Sequence, residues 1–224
     1  MIRTLRPEKR CCMIKTKQLN HAGGFYPYSV HLPKLQQANN GFSSLKDYLN
    51  MLFQACPDAY FNGGPRSSTL KTKLPFDIIE VQGHEVSALA EAGLAANAER
   101  YNNNHLRVQL FMLEHDQQTF AIEVPLWMQH HELDNYAEIF RTIQPLTGHI
   151  DVLRLENDSL WIWDYKPKAK KEKYASTQVY FYALMLSKRT GIPLDHIRCG
   201  WFDDKDAFLF KPKEMQLAYN KQLL

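Results

Sequence analysis

Asp151, Asp164 and Lys166 stand in segments that should reject them. The stretch "TGHIDVLRLENDSLWIWDYKPK", Thr147 to Lys168, reads as two strands rich in Ile, Val, Leu and Trp around the polar turn "ENDS". Unpaired charge in an apolar interior costs several kcal/mol or shifts its pKa until it is neutral. Side chains alternate along a strand. Leu160, Ile162, Asp164 and Lys166 therefore share one face, while Trp161, Trp163 and Tyr165 take the other. A hairpin at "ENDS" brings Asp151 and Asp164 near each other, and two carboxylates that close repel unless a proton or a cation intervenes. A hard ion such as Mg²⁺ suits them, because it accepts one or two carboxylates, a backbone carbonyl, waters and substrate phosphate. Lys166 then lies beside the ion, placed to hold a water or a phosphate oxygen. Asp-x-Lys alone is a weak signal: Asp203 and Lys205 repeat it in "DDKD", an evident hairpin turn.

The surrounding pattern supplies elements to carry these groups. Residues 1 to about 44 read as irregular, with turn-prone "HAGGFYPY" and "QANNGFSS". Leu45, Tyr48, Leu49 and Leu52 recur at helical spacing in "SLKDYLNMLFQA", with Ser43 or Ser44 as the cap. A second helix is expected over Gly83 to Tyr101, rich in Ala, Leu and Glu. "LRVQLFMLE" and "TFAIEVPLWM" read as paired strands around "HDQQ", and "HHELDNYAEIFRTIQ" as a helical or irregular insertion. "KEKYASTQVYFYALMLSKRTG" is a helix stopped by Gly191 and Pro193, and "HIRCGWF" with "AFLFKP" forms a last hairpin. The expected fold class is α/β, a mixed central sheet flanked by helices.

"GHID", "WDYKPK" and "QVYFY" together resemble the RecB-like branch of the PD-(D/E)xK nuclease superfamily. Gly148 and Asp151 match its Gly-x-x-Asp, Asp164 and Lys166 its (Asp/Glu)-x-Lys, and Gln178 and Tyr182 its Gln-x-x-x-Tyr. The resemblance runs over roughly residues 74 to 212. It implies a restriction-endonuclease-like core of α-βββ-α-β order over 74–224, preceded by a partly helical extension over 1–73. It further implies that Asp151 and Asp164 hold Mg²⁺ or Mn²⁺, helped by His84 and by the main-chain carbonyl of Tyr165. Lys166 would orient the nucleophile and stabilise the transition state, and Gln178 and Tyr182 would support the site or the substrate backbone. Glu123, in "AIEVPLW", falls where family members often carry an acid, and either supports the site or faces solvent. The activity implied is a metal-dependent deoxyribonuclease, an exonuclease on single-stranded DNA or DNA ends, serving repair, recombination, replication or mobile elements. A restriction- or resolvase-type endonuclease and a non-catalytic DNA-end-binding subunit are the alternatives. A helicase or another DNA-processing protein is the expected partner. Some of these nucleases carry a four-cysteine iron–sulfur cluster; only Cys199 lies in that part of this chain, so no cluster is expected.

Composition constrains the rest. The 224 residues are 45% hydrophobic and 23% charged, with net charge +3, too mild to establish a nucleic-acid partner by itself. The charge is unevenly spread. Arg3, Arg6, Lys9, Arg10, Lys15 and Lys17 face one acid, Glu8, and read as a basic arm. Lys168, Lys170 and Lys171 follow the catalytic strand, where they touch phosphates or form a solvated face. No apolar run reaches about 18 residues, so no membrane span is expected. Cys11, Cys12, Cys56 and Cys199 show no CxxC spacing, which fits reduced thiols in an intracellular protein.

Overall fold

Asn157 and Asp158 both adopt positive φ, 47° and 57°, which these side chains tolerate better than most and a two-residue hairpin turn requires. The flanking chain therefore pairs antiparallel, with Glu156 opposite Ser159 and Val152 opposite Trp163. The computed structural model describes residues 13–37 and 40–215. In chain order its elements are β1 (Ile14–His21), β2 (Gly24–His31), α1 (Leu32–Gln37), α2 (Ser43–Ala55), β3 (Ile79–Gln82), α3 (Glu85–Ala96) and α4 (Asn104–His115). There follow β4 (Thr119–Met128), α5 (Tyr136–Phe140), β5 (Leu146–Glu156), β6 (Ser159–Tyr165), α6 (Ala175–Thr190), β7 (Ile197–Phe202) and β8 (Asp206–Phe210).

The strands form one sheet in the order β1-β2-β4-β5-β6-β7-β8-β3. Neighbours are antiparallel except β6 and β7, whose parallel pairing needs a crossover that α6 supplies. This is the mixed, helix-flanked α/β sheet expected. Strands β4 and β5 lie inside it and are buried along nearly their whole length. On one face, Leu45, Leu49 and Leu52 of α2 pack with Val179, Ala183 and Leu186 of α6 over Leu153 and Ile162. On the other, Val86 and Ala90 of α3 and Val108 and Met112 of α4 cover Ile122, Val152 and Trp163. Among the described residues no helix is long and apolar enough to cross a membrane.

Four local expectations need correction. Residues 106–114 are not a strand but lie in α4, whose first turn is capped by the Asn103 side chain accepting from His105 N at 2.8 Å. Val108 and Met112 are spaced for alternation and also for one helical face, and burial against the sheet selects the helix. The helix expected to run from Gly83 to Tyr101 starts at Glu85 and stops at Ala96, where Asn97 caps it. Neither Ser43 nor Ser44 caps α2, whose N-cap is Phe42. The stretch before residue 44 is also not irregular: β1 and β2 form a hairpin around Ala22 and Gly23, with φ 50° and 75°, and β2 pairs with β4. The N-terminal extension is thus an edge of the same sheet, while the basic arm before Met13 lies outside the described residues.

Arg154, fully buried on β5, is an interior charge ringed by Asp116, Glu85 and Glu156. Its Nε and Nη2 donate to Asp116 Oδ2 and Glu85 Oε2, both at 2.9 Å. Removing the guanidinium strands the buried Asp116 carboxylate, so Arg154→Leu should lose about 3–5 kcal/mol of unfolding free energy in urea. A loss under about 1 kcal/mol would mean that the network contributes little.

Candidate active site

The antiparallel register that sets Val152 against Trp163 brings Asp151 and Asp164 together one step further on, at the end of the pairing. There Asp151 Oδ2 accepts a 2.8 Å hydrogen bond from the main-chain N–H of Tyr165. From the neighbouring strand comes Glu123, between Ile122, opposite Val152, and Val124, opposite Ile150. Its φ is +50°, a backbone setting a side-chain-bearing residue holds in mid-strand only when its surroundings enforce it. Gln109 of α4 donates to Glu123 Oε1 at 2.8 Å. All three acids are buried, and all three line one cavity of about 360 Å³ together with Lys166, His149, Gln178 and Tyr182.

Burial and mutual repulsion dominate the electrostatics. Burial, then Asp164 and Glu123, hold the Asp151 carboxyl well above the usual range against the pull of Lys166. Burial pushes Glu123 up to about 7, with Asp164 adding to it and Gln109 and Arg66 opposing. Lys166 Nζ stands 2.7 Å from Asp164 Oδ2. Burial works against its charge, but Asp164 and Asp151 more than offset that and keep the ammonium protonated. Among the described residues, the contact sets the only ammonium lining the cavity against the buried Asp164 carboxylate. Three buried carboxylates facing one ammonium fit a divalent cation. The oxygens of Asp151, Asp164 and Glu123 are the hard donors that Mg²⁺ or Mn²⁺ takes.

Helix α6 supplies the support. Gln178 Nε2 donates to Asp164 Oδ1 at 3.1 Å and to Tyr182 Oη at 2.7 Å, from positions one helical turn apart. Gly148 is required by that closeness, since a Cβ there would overlap Tyr182 Cε1 and stand 2.6 Å from Ser67 Oγ. The Gly-x-x-Asp and Gln-x-x-x-Tyr spacings are two sides of one contact.

Not every expected residue arrives here. His84 caps α3, accepting from Val86 N, and its ring lies 5.3 Å from that of Trp163, which points away from the face of Asp164. His84 is not among the residues lining the cavity; His105, at the start of α4, is. Its ring stands edge-on to Tyr165 at 5.1 Å. Burial lowers its pKa, Asp164 opposes that, and Lys166 adds to it. The mistaken strand over 106–114 hid this histidine, because it removed the helix on which it sits. The main chain of Tyr165 is fixed by its bond to Asp151 and by Lys166 N donating to Phe202 O at 2.8 Å. Lys168, Lys170 and Lys171 are exposed outside the cavity, and Lys170 pairs with Glu80 at 2.8 Å. Asp203 accepts from the main-chain N–H groups of Lys205 and Asp206, so the second Asp-x-Lys is turn chemistry.

A family model described as "PD-(D/E)XK nuclease superfamily" matches residues 75–223. The chain belongs to that superfamily, and with it to a class of metal-dependent nucleases. No curated protein and no solved structure matches.

The shifted acid makes a pH test specific. Glu123, with an ordinary value of 4.5, titrates near 7 when folded. Below the lower value it is protonated in both states. Between the two the unfolded chain ionises it and the folded chain resists, so its contribution falls as pH rises and levels off above about 7. The buried histidines act in the opposite sense and cancel when parent and Glu123→Gln are compared. In EDTA, the melting temperature of Glu123→Gln should gain on the parent across that window. A difference independent of pH would show that Glu123 titrates normally.

Proposed function

We propose that this nuclease hydrolyses phosphodiester bonds of DNA at single strands or strand ends, with Mg²⁺ or Mn²⁺ held by Asp151, Asp164 and Glu123. The observation behind it is the meeting of those acids, with Lys166 2.7 Å from Asp164, in one cavity. The main-chain carbonyl of Tyr165 and the ring of His105 complete the ligand set; His105, held neutral by burial, has a lone pair to give. When bound, the metal lowers the pKa of a water and neutralises charge on the phosphate.

The protein's own groups do the remainder. Because Lys166 is kept protonated, it serves as a fixed positive charge for the phosphate oxygens rather than as a base. Gln178 holds the Asp164 carboxylate in place, and Tyr182 anchors Gln178 in turn. Water oxygen attacks phosphorus and gives up a proton to solvent, the ester P–O bond breaks, and the leaving oxygen takes a proton from solvent. Exonucleolytic action is the part of this reading carried by the Gly-x-x-Asp, Asp-x-Lys and Gln-x-x-x-Tyr resemblance.

End-labelled single-stranded DNA should be cut to short products with Mg²⁺ or Mn²⁺ and left whole in EDTA. Asp164→Ala and Lys166→Ala should each lose at least about 10²-fold in turnover. Lys166→Ala cutting as fast as the parent would sink the mechanism. His105→Ala should lower turnover and raise the metal concentration needed, whereas His84→Ala should cut normally; the reverse pattern would restore His84 as the ligand. Products from the interior of a circular strand would replace the exonuclease with an endonuclease.

A further inference from the structure

The cavity has a wall that the catalytic reading leaves without a task. It comes from the β1–β2 hairpin and from the loop leading to Ser67, both before the segment matched by the superfamily. At the hairpin's end Phe25 is 73% exposed, the most exposed large apolar side chain described, and it lines the cavity containing the acids. Next to it, Tyr26 lies flat on His149, ring centres 3.9 Å apart and planes 1° from parallel. Arg66 sits over Tyr26, its guanidinium 5.3 Å from the ring centre, and donates to Tyr26 Oη at 2.7 Å.

Arg66 is held there by its backbone. Thr147 N donates to Pro65 O at 3.0 Å, and Arg66 itself forms a bridge with Thr147 of β5. Gly64 packs so closely that a Cβ would overlap the Pro145 carbonyl. Among the described residues Arg66 forms no ion pair with a carboxylate, although its charge reaches Glu123 and His149. An exposed ring and an unneutralised guanidinium thus share one wall above a floor of acids. Stacking surface with fixed positive charge is what an unpaired nucleic-acid strand requires, and bases inside a duplex cannot reach the ring.

We propose that Phe25 and Arg66 form a strand clamp: Phe25 stacks on a base of a single strand, and Arg66 takes a phosphate next to the one over Asp151 and Asp164. The clamp rests on the nuclease reading only for where the scissile phosphate lies, and its test reads binding rather than cutting. Fluorescence anisotropy of a labelled twelve-nucleotide strand, as DNA and as RNA, would be followed in an Asp164→Ala background with Mg²⁺. Phe25→Ala should weaken binding about tenfold and Phe25→Trp should restore it. Arg66→Gln should reduce the slope of log affinity against log salt by about 0.7, and Arg66→Lys should keep it. Melting curves of the Phe25 variants should superimpose on the background, since the ring is exposed. Unchanged binding by both Phe25→Ala and Arg66→Gln overturns the clamp, as does equal loss for a blunt duplex, or a background protein that binds no strand. If the variants behave as expected but the unmodified protein cuts nothing with any divalent ion, the nuclease reading falls and the clamp stands.

Discussion

Repulsion among Asp151, Asp164 and Glu123, relieved in part by Lys166 and, at Glu123, by Gln109 and Arg66, is the constraint around which the centre of this protein is arranged. Strand β5 carries two charged clusters, and their contrast is instructive. Arg154 lies among Asp116, Glu85 and Glu156, hydrogen-bonding the first two and standing 2.7 Å from the third, so that each of these acids has the guanidinium beside it. At Asp151 the pairing is thinner: among the described residues only Asp164 of the three acids has an ion pair, with Lys166, and the other two resist ionisation. A fold gains nothing in stability from such an arrangement. It is the arrangement expected where a cation and a phosphate are to complete the charge balance.

Backbone devices hold the unfavourable cluster together. Glu123 is turned into the cavity by a positive φ in a strand whose neighbours continue the ladder on both sides. Asp151 is fixed by the Tyr165 amide, so the strand bearing Asp164 and Lys166 also orients the acid facing it. Gly148 lets Tyr182 approach β5, and Tyr182 in turn fixes the amide of Gln178 against Asp164. Each device sits on a rigid element, and the sheet around it is buried on both faces, so strain at one residue is opposed by packing at many.

The parts most legible in the sequence were those in which periodicity and chemistry agreed. β5, β6 and α6 carry a hydrophobic pattern interrupted by charges at fixed spacing, and the pairing that joins Asp151 to Asp164 follows from the turn at Asn157 and Asp158. Where the pattern served two periods the reading failed. Val108 and Met112 suit a strand or a helix, and only the apolar face of the sheet beneath them decides. That error displaced His105 and drew attention to His84, a residue with a structural duty at the start of α3. β1 escapes the reading for a different reason: its inward face carries Lys15 and Lys17 before the buried Leu19 and His21, so no run of alternating apolar residues marks this edge strand. Glu123 could not be settled from sequence, because its inward aim depends on a local φ that no pattern encodes.

The hairpin's place in the sheet decides whether the wall and the floor of the cavity can act together. β2 meets β4 through Ser29 and Val30 only, a short ladder that would let a free hairpin swing. Other contacts prevent it. His21 of β1 hydrogen-bonds His149 of β5 at 2.9 Å and stacks on Phe61, and Tyr28 donates to Leu49 O of α2 at 2.7 Å. Leu49 and Leu52 then continue the core with α6, the helix that holds Asp164 through Gln178. Buried ring-to-ring and main-chain contacts of this kind resist shear far better than an exposed loop does. The N-terminal segment, which the superfamily match does not reach, is therefore fastened to β5, which carries Asp151, and through α2 to α6, whose Gln178 holds Asp164. A strand gripped on that wall would be held at a fixed distance from Asp151 and Asp164, and selection of substrate could change there without disturbing the floor.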